Sequence, residues 1–450
     1  MADVVGSIWW LIVSLGVLVT FHEFGHFWVA RRCGVRVLRF SVGFGKPLWK
    51  RIGKDGTEYV IAAIPLGGYV KMLDEREVDV LPEDKHQAFN TKPVSQRIAI
   101  VAAGPLFNLM LALLLLWGMF IIGKGDFAPI VGRATGVAAE AGLRTDDRLL
   151  SIDGVSMDTW THAGISLSAA ALDRRAVALT VSDPSHAVRE LRLDLAGLGD
   201  SFSEETALRD IGLLPRQVLL DPVIGGVSAE GAAAAAGLLV GDRILSLDGE
   251  TVDFWDAVPR ILQARKEPDS PVQVKVARGA DRLSFAISPQ SQTIDGVTRW
   301  RLGIEATRTE VAHDALLKFG PLDAVGASVR ETWRLTEATF GMLWRMVKGA
   351  ASLQNISGPI TIAQYANASA QMGPAWFLFF LAVLSLSLCI MNLLPIPILD
   401  GGHLLYYLIE VIKGSPVSER ALAAGQFVGL AMLGCLMSLA FYNDILRLVN

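Results

Sequence analysis

A chain of 450 residues has room for more than one domain, and 52% hydrophobic residues with a mean hydropathy of +0.41 make it too apolar for a soluble enzyme of this size; the sequence reads as a membrane protein. Its net charge of -4 and pI of about 6.0 leave no basic excess of the kind a nucleic-acid partner needs. The three cysteines, Cys33, Cys389 and Cys435, are scattered and support neither a disulfide framework nor a Cys-based zinc site.

Four uncharged stretches reach the roughly 20 residues that a bilayer crossing takes. They are Val4 to Phe21, extended to Ala30; Ile98 to Gly123; Gly373 to Leu399; and Ala421 to Asn443. The first has no basic region before it and no small-residue cleavage site after it, so it is expected to be retained rather than removed as a signal peptide. It runs into Phe21-His22-Glu23-Phe24-Gly25-His26, an H-E-x-x-H motif. At about 100° per residue, His22 and His26 point about 40° apart on a helix, and Glu23 lies about 60° beyond His26. Two imidazoles one turn apart suit a tetrahedral Zn²⁺, and the carboxylate beside them can take a proton from the water that a metal activates. The competing reading is a polar turn just outside the membrane. Ionisable groups at the end of a membrane-length helix favour function, because burying them unpaired is costly.

The segment after the first stretch carries Arg31, Arg32, Arg36, Arg39, Lys46, Lys50, Arg51 and Lys54, whereas no Lys or Arg precedes it. By the positive-inside rule this segment is cytoplasmic, both termini are outside, and the region from Lys124 to about Met372 is extracytoplasmic. Within the segment, Phe40 to Gly45 and Glu58 to Met72 read as strands and turns. They form either an ordinary cytoplasmic hairpin or one that dips into the membrane and pairs its edge with an extended peptide. The second span holds Gly104-Pro105 and Asn108, which are expected to kink it and to serve close helix packing.

The extracytoplasmic region repeats itself. Ala141-Gly142-Leu143 with Asp147 to Gly154 returns 95 residues later as Ala236-Gly237-Leu238 with Asp242 to Gly249. That spacing fits two copies of a small domain rather than a solenoid. The pattern resembles the PDZ fold, with Gly241 and the run Val223 to Val227 matching in the second copy and Asp146 replacing that glycine in the first. Such domains either bind peptides by strand addition or act as a steric cap. From about Asp314 to Lys348 the pattern is amphipathic, with Trp333, Phe340 and Trp344 beside Arg330, Arg334 and Arg345. This predicts a helix on the membrane surface, or one packed on the repeats. The polar stretch with Ser357-Gly358-Pro359-Ile360 and Asn367 is expected to be loop.

Two histidines need a third protein ligand, with the fourth position left for water. Asp400 is the candidate: it follows the third stretch in Asn392-Leu393-Leu394-Pro395-Ile396-Pro397-Ile398-Leu399-Asp400-Gly401-Gly402-His403, at the end that the Lys/Arg asymmetry places on the same side as His22 and His26.

H-E-F-G-H in a first span, N-x-x-P-x-P-x-L-D-G in a late one and tandem PDZ-like copies between them resemble the site-2 protease family of intramembrane zinc metalloproteases, in its sigma-E-regulating bacterial branch, over essentially the whole chain. Gly43-Phe44-Gly45 and Pro65-Leu66-Gly67-Gly68-Tyr69 also match that family. The resemblance implies Zn²⁺ bound by His22, His26 and Asp400, with Glu23 as general base and acid. It further implies that Asn392 contacts substrate or the developing oxyanion, and that Gly43, Phe44, Gly45, Gly67, Gly68 and Tyr69 belong to the substrate-holding hairpin region. The implied fold is a polytopic α-helical membrane protein with four transmembrane helices, a membrane-associated β-hairpin region and two tandem extracytoplasmic PDZ domains, α+β overall.

The expected partition is 1–33 for the first span with H-E-x-x-H, 34–96 for the cytoplasmic hairpin region, 97–124 for the second span, 125–221 and 222–309 for the PDZ copies, 310–372 for an amphipathic membrane-surface helix and loop, 373–404 for the third span with L-D-G, and 421–444 for the fourth. The implied partners are the lipid bilayer and single-span membrane proteins, in particular an anti-sigma factor at its second cut, with remnant signal peptides as further substrates; the PDZ copies filter by peptide binding or bulk. The implied location is a bacterial inner membrane, PDZ domains periplasmic and active site near the cytoplasmic face. A membrane-anchored PDZ adaptor without hydrolysis, a metal transporter and a protease with an aqueous site are the rival readings. Co²⁺ or Mn²⁺ could occupy the same ligands in vitro.

Overall fold

The computed structural model describes residues 2–76, 78–198, 207–265, 267, 269–294, 297–307, 312–349 and 356–449. Parts of the expected second-copy, first-copy and surface-helix segments, at 308–311, 199–206 and 350–355, therefore lie outside the described residues. The chain forms two compact units, Met1–Gly125 with Leu316–Asn450, and Asp126–Ala315. Among the described residues, four helices are long and apolar enough to cross a membrane: Val4–Arg32, Val94–Ile122, Pro374–Leu393 and Glu419–Leu448. With strands in both units, the molecule is a polytopic α+β membrane protein.

In the first unit, helix α1 (Ala2–Arg32) runs unbroken through the H-E-x-x-H motif. It stops where Gly34 adopts φ 68°, with Gly34 N–H donating to Arg31 and Val35 N–H to Ala30, the two bonds of a Schellman cap. The chain then forms β1 (Val37–Ile52) and β2 (Glu58–Met72), the hairpin read from the Gly-rich, β-branched composition. Both strands fold back on themselves: Val42 pairs with Ile61 and with Gly68, so the first half of β1 lies between the two halves of β2. Gly43 sits at this bend with φ 92°, and a Cβ there would meet the Ile64 carbonyl oxygen at 2.8 Å. The consequence is an outer strand, residues 68–72, with no further strand paired beside it among the described residues. Phe27 of α1 packs edge-on against Phe40 and Tyr59 and fixes this sheet to the helix.

Helix α2 (Val94–Ile122) is central, and its stripe Ile100, Gly104, Asn108, Leu111, Leu116 and Phe120 is buried. In lipid the hydrophobic effect does not drive helices together, so close contact has to come from small residues and polar bonds. Gly25 of α1 supplies the first: a Cβ there would lie 2.4 Å from the Ala103 carbonyl oxygen. The remaining helices are α3 (Asp323–Val347), α4 (Pro359–Gln371), α5 (Pro374–Leu393), α6 (Asp400–Lys413) and α7 (Glu419–Val449). Ser385 of α5 donates to the Asn108 carbonyl at 2.8 Å and ties α5 to α2. On α3, Trp333, Phe340, Trp344 and Val347 are exposed while Ala324, Ala327 and Glu331 are buried, the reverse of a water-facing helix.

Two expectations change here. The stretch read as loop contains helix α4, started by Pro359 at its first turn. Gly358 offers no capping side chain, and Asp444 of α7 serves instead, accepting from the N–H groups of Gly358 and Ile360 at 3.0 and 2.8 Å and from the Thr361 hydroxyl at 2.6 Å. A cap supplied from 80-odd residues away leaves no local signal. The segment 373–404 is two helices, because Pro395 and Pro397 end α5 at Leu393 and α6 begins anew at Asp400.

The second unit consists of two similar halves. In one, Val155–Ser156, Arg148–Ile152, Val177–Ser182 and Val188–Leu193 lie side by side as an antiparallel sheet; in the other, Glu250–Thr251, Arg243–Leu247, Val272–Arg278 and Asp281–Ile287 do the same. Each half turns on an Asp-Gly pair with both residues at positive φ, Asp153 and Gly154 at 50° and 79°, Asp248 and Gly249 at 46° and 86°. Alternate residues Val177, Leu179 and Val181, and Val272, Val274 and Val276, fill separate cores, each side chain contributing roughly 1.5–3 kcal/mol on burial. A buried aspartate is clamped in the same way in both. Asp147 takes Arg189 Nη2 at 2.5 and 2.6 Å and the Arg144 N–H; Asp242 takes Arg278 Nε and Nη2 at 2.7 Å each and the Leu239 N–H. The Arg278 hydrogen bonds hold the Asp242 carboxyl below the usual carboxylate range. Asp146, where the second copy has Gly241, adopts the same left-handed backbone (φ 66° against 93°) and pairs with Arg216.

Candidate metal centre

The continuous helix through Phe21 to His26 puts both imidazoles on the face that α1 turns to α2. Their Nε2 atoms are 3.2 Å apart, and the rings meet edge to face. Asp400 arrives from the other end of the chain as the first residue of α6, where a helix N-terminus favours an anion. The tight turn before it requires both glycines that follow: a Cβ on Gly401 would lie 2.2 Å from the Leu394 carbonyl oxygen, and one on Gly402 2.4 Å from that of Ile396. Asp400 Oδ2 stands 3.1 Å from His22 Nε2 and 3.5 Å from His26 Nε2.

These three atoms make the only such grouping among the described residues, all within 4.8 Å of one another. A tetrahedral zinc with bonds of about 2.0–2.1 Å sets its ligands about 3.3 Å apart, which the observed 3.1, 3.2 and 3.5 Å fit. Asp400 Oδ2 is also buried with no N–H aligned on it, as suits an oxygen meant for a cation. Room for the group comes from Gly104 of α2, where a Cβ would meet His26 Nε2 at 2.3 Å and His22 Cε1 at 2.8 Å.

Both imidazoles are held from behind by α2. His26 Nδ1 lies 2.8 Å from the Ile100 carbonyl oxygen, which can only accept; His26 therefore carries its proton on Nδ1 and offers the Nε2 lone pair to the centre. His22 Nδ1 meets the amide of Asn108 at 3.1 Å. Asn108, read from the sequence as a packing residue, is fully buried and touches a candidate ligand. The signal available was a Gly and an Asn one turn apart in an otherwise apolar span; the partner histidine was not legible, because it depends on how α1 and α2 cross.

Glu23 lies beside the group and faces the same cavity as Val70 of the outer strand. A Cβ on Gly68 would meet the Glu23 side chain at 3.1 Å and the Ser41 carbonyl oxygen at 2.7 Å, so only glycine allows the strand this close. A cavity of about 870 Å³ opens here, lined by Glu23, His26, Asp400, Tyr69, Val70 and His403 among others. Its far wall is clamped by Arg97 of α2, bidentate to Glu410 of α6 at 2.6 and 3.2 Å and stacked over Tyr407, which anchors the helix that carries Asp400. Asp74 also lines the cavity; burial acts to raise its carboxyl, and its bonds to Arg76 outweigh that and keep it below the usual range.

The hairpin residues divide. Gly67, Gly68 and Tyr69 belong to the strand bordering Glu23, and Tyr69 and its successors line the cavity. Gly43 and Gly45 form the bend, and Phe44 stacks on Tyr69 at 6.1 Å, behind the cavity rather than in its wall. Asn392 sits in the last turn of α5 and is not among the cavity-lining residues.

Comparison with known proteins bears on this geometry. Residues 10–436 match the description Peptidase family M50. The chain belongs to peptidase family M50. This M50 chain is 51% identical over 447 residues to a Xylella fastidiosa protein provisionally named a zinc metalloprotease, covering 99% of the chain and 100% of that protein. It is 42% identical over 441 residues to the Escherichia coli regulator of sigma-E protease RseP, covering 97% and 98%, and 41% identical over 455 residues to protease RseP of Yersinia pestis, covering both chains fully. It is a zinc metalloprotease of the site-2 type, with four membrane-length helices among the described residues.

Proposed function

We propose that this enzyme hydrolyses peptide bonds inside the membrane-spanning segments of single-span proteins, with His22, His26 and Asp400 holding the zinc and Glu23 acting as general base and then general acid. The observation that carries the reading is the convergence, on one cavity, of that ligand group, Glu23 and the outer strand 68–72. A spanning helix hides its peptide bonds in its own hydrogen bonds and has to unwind locally before cleavage. Residues 68–72, paired with β1 on one side and bordering Glu23, can pair on the other side with the unwound stretch. When bound, zinc polarises the scissile carbonyl and makes water a competent nucleophile near neutral pH. Glu23 takes the proton of the attacking water and hands it to the leaving nitrogen. Asn392 reaches the substrate or the developing oxyanion once substrate fills the site.

The two halves of the second unit are PDZ-like domains, here given as 125–221 and 222–309, supported by their shared sheet order, Asp-Gly turns and Arg-clamped aspartates. The basic segment from Arg31 to Lys54 favours a cytoplasmic site and periplasmic PDZ domains in a bacterial inner membrane. The names of the Escherichia coli and Yersinia relatives support an anti-sigma factor as substrate, cut after its periplasmic domain has been removed, with remnant signal peptides as a second class. The exposed Trp333, Phe340 and Trp344 support α3 lying against lipid.

The test is mass spectrometry of a single-span substrate incubated with the detergent-solubilised enzyme, wild type against Glu23→Gln. Fragments cut within the span by the wild type alone are expected. Cleavage confined to the aqueous flank, or an intact substrate with zinc bound and the fold preserved, would favour the aqueous protease or the adaptor. Deleting residues 127–309 is expected to widen substrate choice while cleavage persists; loss of all cleavage in a folded deletion refutes the filter.

A further inference from the structure

We infer that Asn108 is a positioning residue that selects the zinc-binding tautomer of His22. The inference rests on the proposed ligand set and concerns how one member is kept competent. For Nε2 of His22 to donate a lone pair, the ring proton has to sit on Nδ1 and needs an acceptor there. The group within reach is the Asn108 amide, with Nδ2 at 3.1 Å, while its Oδ1 is buried with no partner.

In that arrangement the amide donates to Nδ1, and the proton of His22 lies on Nε2, directed at His26 Nε2 at 3.2 Å. This form cannot ligate. The two ends of a carboxamide have the same shape, so a half-turn about its last bond presents Oδ1 to Nδ1–H without steric change. One buried polar end of the amide is left unanswered in either state, Oδ1 before the half-turn and Nδ2 after it. The amide therefore stands in either of two states, each matched to one tautomer of His22, and the state with Oδ1 towards the ring is the one in which Nε2 is free.

The surroundings keep the amide in place for this exchange. Asn108 is fully buried, and its carbonyl is fixed by Ser385 Oγ at 2.8 Å. One turn earlier, Gly104 holds the helix close enough for the contact: any side chain there would strike both imidazoles. Gly104 and Asn108 thus form one device on α2, the first giving room and the second giving direction. No comparable choice exists for His26, whose acceptor is the Ile100 carbonyl.

The test uses the full chain in detergent and reads zinc affinity by chelator competition and the visible absorption of the Co²⁺-loaded protein. Asn108→Leu, which keeps the branched shape and removes the acceptor, is expected to bind zinc about 10–100-fold more weakly and to alter the Co²⁺ bands. Asn108→Ala serves as a second acceptor-less variant should leucine disturb the fold. Asn108→Asp, which can only accept, is expected to stay within about threefold of wild type with wild-type Co²⁺ bands, a rescue that a merely structural role would not give. Acceptor-less variants with wild-type affinity and spectrum, while His22→Ala loses the metal, would overturn the inference alone. Wild-type zinc affinity in His22→Ala would overturn the ligand set with it.

Discussion

Buried carboxylates appear in both units, and they are treated in opposite ways. In the repeated halves Asp147 and Asp242 are each about 1% exposed and saturated, with an arginine across both oxygens and a main-chain N–H besides. Asp444 in the membrane unit is saturated too, by the first turn of α4. Asp400 is the exception: Oδ2 is buried, no N–H is aligned on it, and the atoms beside it are two imidazole nitrogens hydrogen-bonded to each other at 3.2 Å. A carboxylate with all its lone pairs answered is a strut. One left with an oxygen unanswered, at a cavity wall, is poised for a cation.

The contrast can be broken by experiment. Glu23→Gln and Asp400→Asn are both expected to reduce cleavage by at least about 10²–10⁴-fold, measured as fragment yield from a single-span substrate. On the proposed ligand set they are expected to part on metal content, Glu23→Gln keeping its zinc and Asp400→Asn losing it. The metal-free Asp400→Asn protein is expected to melt no lower than metal-free wild type, because the substitution removes a poorly answered charge. Asp242→Asn should do the reverse, lowering the thermal and denaturant midpoints of the second unit through loss of the charged hydrogen bonds to Arg278 and Leu239, while cleavage of a substrate without an external domain continues. A stable Asp242→Asn would end the strut reading.

Acid sharpens the same point. Because Arg278 depresses the folded-state carboxyl of Asp242, its contribution is fully present above the unfolded value of about 3.9 and is lost as pH falls through the lower folded value. Arg278→Met should flatten that acid limb of the stability profile. The smallest effect is expected at Asp146→Gly, where relief of the left-handed backbone offsets loss of the exposed Arg216 pair; a change within about 1 kcal/mol is anticipated.

How much was legible follows from how far apart the interacting residues lie. The repeat announced itself because its turn and its clamped aspartate sit within a dozen residues, and the hairpin because its glycines mark its bends. His22, Glu23 and His26 share one turn of helix, and Asp400 was found through charge asymmetry and the prolines before it. The device at Gly104 and Asn108 and the meeting of Gly68 with Glu23 were not legible, since each depends on an approach between elements that neither stretch encodes alone. Helix α4 was missed for the same reason, its cap lying on α7.

The two histidines also differ in what a single nucleotide change can do to them. The acceptor behind His26 is a main-chain oxygen, so every side chain compatible with helix α2 at position 100 preserves it. The contact behind His22 is a side chain, and one substitution at Asn108 deletes it. On the proposed ligand set, the contact behind one histidine is thereby sheltered from drift in its partner side chain and the contact behind the other is exposed to it.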